Sequence, residues 1–230
     1  MSKNDSPNIM KRDETYYIAK TFDYMARFYD RTSNKKLGLE FYSLAAKLSG
    51  VKEGDKVLDV GCGTGTLALR LKKQAGNKGF VAGIDASSEM LKQAKIKADK
   101  ENIRLDLRVA SIEKIPFSDN FFDVVTSTWV IHQLSLPLKK KGIKEIFRVL
   151  KVGGHFLLAD LHKITNPFRA FYNLPFYWWN EGYKIHVQGK LPELLTEAGF
   201  VEVKIINRIR DRIDYISTFK PPLTPPNHQS

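Results

Sequence analysis

From Val51 to Lys220 the chain alternates two kinds of stretch: short apolar runs of strand length, and longer stretches whose apolar residues recur at helical spacing. The runs are "KVLDVG", "FVAGID", "IRLDLRVA", "FFDVVTSTWV" and "KVGGHFLLADL", the last turning through Gly153 and Gly154. Between them Leu67, Ala68, Leu71 and Ala75 make one helical face, Met90, Leu91, Ala94 and Ala98 a second, and Ile143, Ile146, Phe147 and Leu150 a third. Leu191, Leu194, Leu195 and Ala198 mark a further helix, with Pro192 in its first turn and Gly199 past its end. "FVEVKII" and "DYISTFK" close the pattern as strands. Strands separated by helices of about 10 to 15 residues build βαβ units, and apolar strands without clean polar alternation build a parallel sheet covered on both faces. The expected fold is a doubly wound α/β domain, whose ligands sit beyond the carboxyl ends of its strands.

Ahead of this domain, Ile18, Phe22, Met25 and Tyr29 recur at i, i+4, i+7 and i+11, which predicts an amphipathic helix. A second helix is expected near Leu37 to Leu48, ended by Gly50. Residues 1–50 therefore read as a helical lid segment, 51–221 as the ligand-binding domain with an aromatic insert at 164–186, and 222–230 as a disordered tail. At 230 residues, 43% hydrophobic and 27% charged, the chain has the composition of an ordinary soluble domain. No apolar run approaches the roughly 18 residues of a membrane span, and the polar opening "MSKNDSPNIMKRDE" matches neither a signal peptide nor a transit sequence, so a cytoplasmic location is expected. The lone cysteine, Cys62, can form no internal disulfide and no multi-cysteine zinc site, and no metal is expected. The formal charge of +12 admits nucleic acid, anionic lipid or an acidic substrate. Much of it falls at Lys72, Lys73, Lys92, Lys95 and Lys139 to Lys141, which read as solvated helix faces.

The first strand and its helix are joined by "LDVGCGTG", Leu58 to Gly65. Gly61, Gly63 and Gly65 allow a tight turn and a close ligand approach, but glycines alone fit a structural turn equally well. Thr66 stands where a nicotinamide-binding loop has its third glycine, and no G-K-[ST] phosphate loop is present. Asp59 narrows the choice, because a carboxylate at the end of a buried strand needs a cationic or hydrogen-bonding partner. The ammonium of an amino acid would serve. Asp85 ends the second strand about 20 residues later, where a carboxylate accepts from both hydroxyls of a ribose or, alternatively, caps the helix of "SSEMLKQA". A ligand with a ribose and an ammonium but no required phosphate is S-adenosylmethionine.

In this order and spacing, "VLDVGCGTG", "GIDASSEML", "ASIEKIPFSDNFFDVV" and "RVLKVGGHFLLAD" resemble the class I S-adenosylmethionine-dependent methyltransferases, in the branch containing the ubiquinone and menaquinone biosynthesis C-methyltransferases. The resemblance implies a Rossmann-like seven-stranded sheet with its last strand antiparallel, N-terminal lid helices, and S-adenosyl-L-methionine as cofactor. It places Asp59, Gly61, Cys62, Gly63, Thr64 and Gly65 at the methionine moiety, with Asp85 on the ribose. Ala86 and Met90 fall beside the adenosine, Ser111 and Ile112 at the adenine, and Thr128 near the cofactor. Many relatives carry an aspartate where Ser111 stands. The quinone enzymes also have "YDxMN" where this chain has "YDRTSN", and Glu-x-Ser where it has Asp160, Leu161 and His162, which leaves quinone specificity open.

Methyl transfer of this kind is an in-line displacement in which positioning and exclusion of water supply much of the acceleration. Where the acceptor must lose a proton, His132 in "TWVIHQL" is the candidate base; the alternative is that it only lines the pocket or starts a loop, and His162 is a weaker second. Candidate acceptor-binding residues are Tyr17 and Tyr29 of the lid, Trp129 after the fourth strand, and Phe176 and Trp178 of the insert, where Arg169 and Lys184 could meet an anionic head group. The alternative is that the insert's aromatics only pack on each other. The expected acceptor is a hydrophobic or amphipathic small molecule such as a quinone precursor, a lipid or an aromatic metabolite, with transient contact to an anionic membrane surface. Methylation of RNA or protein is the competing class, as is a non-catalytic cofactor-binding protein. "TSTWVI" lacks the Asn/Asp-Pro-Pro-aromatic tetrapeptide of enzymes that methylate exocyclic base amines, so nucleic acid is not expected. The oligomeric state is not legible.

Overall fold

The computed structural model describes residues 14–33, 36–161, 188–210 and 212–222. Two helices come first, α1 (Glu14–Ser33) and α2 (Lys36–Leu48). The alternating part runs β1 (Lys56–Val60), α3 (Thr66–Ala75), β2 (Phe80–Asp85), α4 (Ser88–Lys100), β3 (Asp106–Val109) and β4 (Phe122–Thr128). A short 3-10 turn (Ile131–Gln133), α5 (Leu136–Val149) and β5 (Leu150–Leu161) follow, and α6 (Leu191–Glu197), β6 (Val201–Ile209) and β7 (Ile213–Phe219) complete the described elements. The sheet order is β3-β2-β1-β4-β5-β7-β6, parallel except that β7 runs antiparallel to both β5 and β6. The direction of winding reverses between β1 and β4, so their carboxyl ends open a crevice.

Consecutive strand residues are apolar because both faces are covered. Leu58, Val60, Val125, Phe156 and Leu158 pack on one side with Ile143, Ile146 and Leu194. Val57, Val124, Leu157 and Ala159 pack on the other with Phe41, Ala45, Leu67 and Leu71. The segment read as a lid is thus split in role, since α2 buries Phe41 in the core, where its carbonyl accepts from the Tyr215 hydroxyl at 3.0 Å.

Three local expectations are corrected. On α1 the inward position falls to Ala26, 3% exposed, rather than Met25, which is 41% exposed. The helix packs against α4, and a small side chain suits the close approach. Lys139 does not face water: it is fully buried on α5, on the side of Ile143 and Ile146, while Lys140 and Lys141 are exposed. Gly153, with φ of 74°, lies within β5 rather than ahead of it. The buried Lys220 donates to the carbonyls of Phe147 (2.9 Å) and Leu150 (2.9 Å) and to Asn120 Oδ1 (2.8 Å), serving as a side-chain cap at the end of α5. No helix among the described residues is long and apolar enough to cross a membrane.

Candidate functional site

The crevice begins at the turn that follows β1. Gly61, Gly63 and Gly65 adopt φ of 70°, 52° and 77°, a region costly for any residue with a Cβ. They differ in what the missing side chain leaves room for. A Cβ on Gly61 would lie 2.1 Å from Val130 Cγ2, and one on Gly65 would lie 2.9 Å from Ala94 Cβ. Both glycines are required by protein packing, and Gly65 does not line the cleft. A Cβ on Gly63 would meet nothing within 4 Å, because Gly63 faces the open cleft. Cys62 is buried between the loop and Gly83; burial, with Asp85 and Asp59 nearby, pushes its thiol well above the ordinary range and makes it a poor nucleophile.

Two carboxylates flank this turn. Asp85 accepts from the Gly63 N–H (2.9 Å) at one oxygen and from the Ser87 N–H (2.8 Å) at the other, and it lines the cleft. Each oxygen keeps further acceptor capacity. Burial raises its pKa, with the two amides opposing. The helix α4 is capped instead by Ser87, whose Oγ accepts from the Met90 N–H at 3.1 Å, so Asp85 is not spent as the cap. Asp59, 1% exposed, lies behind the cleft wall formed by Val60 and Gly61. Its Oδ1 accepts from the Thr126 hydroxyl at 2.8 Å, and the Ala68 N–H in the first turn of α3 also faces the carboxylate. Burial pushes Asp59 up to about 7, the Thr126 hydroxyl opposing and Asp85 adding to the rise.

Ala86, Met90, Ser111, Ile112, Thr128 and Thr64 stand along the same wall. The Ser111 hydroxyl bonds Glu113, so a carboxylate is present two residues beyond the position where the relatives' aspartate is expected. Helix α1 closes the cleft with Thr15, Ile18, Phe22 and Tyr29, and Tyr42 joins them from α2. Polar ties hold α1 in place. Glu14 Oε1 accepts from the Ser135 N–H (2.7 Å), and the Thr15 hydroxyl donates to Glu113 (3.3 Å). Asp23 accepts from the Ser87 hydroxyl (2.6 Å). Asp30 accepts from the Thr64 hydroxyl (2.7 Å) and pairs with Lys97 (2.9 Å), which itself donates to Thr64 and Thr66. Tyr17 does not enter the cleft: it is 57% exposed on the opposite face of α1, since neighbouring helix positions are separated by about 100°. Phe176, Trp178 and His162 lie outside the described residues.

At the end of β4 the chain makes an unusual bend. Trp129 has φ of 60°, uncommon for a bulky residue, held by its N–H to the Ala159 carbonyl (3.1 Å) and by Gln133 Nε2 donating to its own carbonyl (2.7 Å). This turns its ring into the cleft wall, with ring centres 5.5 Å from Phe41 and 5.9 Å from His132. His132 stands behind Trp129 on the 3-10 turn, its side chain 19% exposed, and is not part of the cleft lining. Its Nδ1 is 2.7 Å from Asp160 Oδ1, and its backbone N–H donates to Asp160 Oδ2 at 3.1 Å. Bonding to a carboxylate assigns the proton to Nδ1 and makes Nε2 the basic nitrogen. Asp160 is 1% exposed and lies near the buried Lys139, whose pKa burial pushes down to about 8 against the opposing charges of Asp160 and Glu14. In sequence, Asp160 stood out only as a departure from Glu-x-Ser; nothing there paired it with His132.

Residues 51–199 match the family model of a methyltransferase domain. The chain belongs to the class I S-adenosylmethionine-dependent methyltransferases. This methyltransferase is 29% identical over 219 residues to the ubiquinone/menaquinone biosynthesis C-methyltransferase UbiE of Laribacter hongkongensis, spanning 85% of this chain and 88% of that one. It is 34% identical over 175 residues to UbiE of Bdellovibrio bacteriovorus, spanning 74% and 70%. Among solved structures, it resembles an S-adenosylmethionine-dependent methyltransferase from Aquifex aeolicus (TM-score 0.66, 23% identity, 88% of this chain and 98% of that one). It also resembles the [4+2]-cyclase SpnF (TM-score 0.72, 19% identity, 89% and 95%). Likeness at these identities establishes the fold alone, and a cyclase on the same sheet illustrates why the reaction must be argued from the site. The methyltransferase's cofactor is S-adenosyl-L-methionine, and the residues present fit it: open space at Gly63, acceptor capacity on Asp85, and the buried carboxylate of Asp59 directly behind the cleft wall.

Proposed function

We propose that this methyltransferase modifies a small hydrophobic or amphipathic acceptor of quinone-precursor, lipid or aromatic-metabolite type. The observation that carries the reading is the wall of the cleft, where Phe22, Tyr29, Tyr42 and Trp129 share one pocket with Gly63 and Asp85 under the helix α1. An apolar cleft with a few placed polar groups suits a small molecule, whereas a polymer acceptor needs an open surface. The names of the relatives point the same way; one of them, a 2-phytyl-1,4-naphtoquinone methyltransferase of Nostoc punctiforme, is 33% identical over 167 residues.

When bound, S-adenosylmethionine supplies a methyl group on a positively charged sulfur. Asp85 would take the ribose hydroxyls, the Gly63 backbone would lie against the ligand, and Asp59, behind the wall, would provide a negative field for the ammonium. Ser111 and Ile112 would flank the adenine, and Thr128 would border the reacting end. The aromatic wall excludes water. Asp160 fixes the His132 ring behind Trp129, outside the cleft lining, and a role as base would require that ring to come within hydrogen-bond reach of the acceptor. The test is incubation with methyl-labelled cofactor and fractionated cell extract. Label is expected in the lipid or small-metabolite fraction, and label confined to RNA or protein overturns the reading. Asp85→Ala should weaken cofactor binding by roughly 1.5 to 3 kcal/mol through loss of charge-assisted hydrogen bonds, measured by calorimetry.

The buried Asp59 adds a pH dependence. Its folded pKa of about 7 lies above the unfolded value near 3.8, so its contribution to stability is full below 3.8 and is lost as pH rises through 7, by about 4 kcal/mol. A cationic ligand favours the ionised form, so cofactor affinity should climb with pH up to about 7 and then level off. Calorimetry about one pH unit either side of that value checks this. Asp59→Asn should flatten the profile and bind weakly throughout.

A further inference from the structure

The charged side chains of α1 are sorted by sign. Its three acids, Glu14, Asp23 and Asp30, are all engaged with the body of the domain through Ser135, Ser87, Thr64 and Lys97. Lys20, whose side chain is 61% exposed and whose ammonium lies 3.8 Å from Asp23, and Arg27 are on the solvent side. Large side chains lie beside them: Tyr24 is 88% exposed, Tyr17 57% and Met25 41%. Tyr17 and Tyr24 are seven residues apart, as are Lys20 and Arg27, so each pair recurs after about two turns. The result is an aromatic stripe alongside a basic stripe on a helix of 20 residues, held flat on the domain.

We propose that this outer face of α1 docks on an anionic lipid bilayer. Tyrosine rings are suited to the head-group level, and lysine and arginine to lipid phosphates. The complementarity is one of charge: the chain carries a formal +12, and the acids that would repel such a surface are turned inward. The inner face of the same helix lines the cleft with Ile18, Phe22 and Tyr29, so docking brings the cleft against the phase in which an apolar acceptor dissolves. That purpose rests on the proposed acceptor class; the docking itself does not.

The experiment is co-sedimentation of the full chain with phosphatidylcholine vesicles containing phosphatidylglycerol, and with phosphatidylcholine vesicles alone. Binding is expected to the anionic vesicles only and to fall with added salt. The double variant Lys20→Glu/Arg27→Glu should reduce partitioning at least about tenfold, and Tyr24→Ser about fivefold, with cofactor affinity unchanged in both. Absence of binding to the anionic vesicles overturns the proposal. So does equal binding by the variants, or self-association of the chain through Tyr24. No acceptor is present in the assay, so a failure here leaves the acceptor reading standing, and a failure of the labelling experiment leaves the docking face standing.

Discussion

If His132 serves as the base, His132→Gln should slow methyl transfer by about 10² to 10⁴ in a single-turnover measurement while leaving cofactor affinity intact. Glutamine can still bond Asp160 but offers no basic nitrogen in place of Nε2. The limb of the pH–rate profile that reports the base should disappear. Asp160→Asn gives a different signature, because it keeps the imidazole and loses the acceptor that sets its tautomer and orientation, 2.7 Å from Nδ1. Its rate should fall while cofactor affinity stays intact. An unchanged profile in His132→Gln, with chemistry limiting, would assign His132 to the support of Trp129.

Gly63→Val should abolish measurable cofactor binding without unfolding the domain. A valine at φ of 52° is strained, and its methyls would fill the one part of the loop where an added Cβ meets no protein atom. Affinity should drop at least about a hundredfold, since strain and steric exclusion act together. Gly61→Ala is the opposite case: its Cβ would fall 2.1 Å from Val130 Cγ2, so the loss should show first in thermal unfolding. A Gly63→Val protein that binds normally would remove the loop from the cofactor site.

The parts of the site that could be read in the sequence are those whose geometry is local. Asp59, the glycine turn and Asp85 follow from βαβ connectivity, because the ends of adjacent parallel strands are brought together by topology alone. The Asp160 partner of His132, the ties of α1 and the left-handed Trp129 depend on contacts across 28 to 121 residues or on backbone strain, for which a single sequence carries no pattern. Lys139 was misplaced for another reason. Its spacing from Ile143 and Ile146 puts it on the buried side, but lysine composition argued for water, and the nearby carboxylates Asp160 and Glu14 reversed that argument. Met25 misleads by size: the apolar spacing on α1 runs through the larger side chains, while the buried position belongs to Ala26.

The ties that hold α1 over the cleft also act on time. Ligand and demethylated product share a compartment roofed by Ile18, Phe22 and Tyr29, and Thr64 belongs both to that compartment and to the Asp30–Lys97 cluster. A shift of this helix, anchored at Ser135, Ser87 and Thr64, would be a collective motion of the microsecond-to-millisecond class rather than a side-chain flicker. If α1 must loosen for exchange, Asp23→Asn and Asp30→Asn should shorten the residence time of the spent cofactor, although neither side chain lines the cleft.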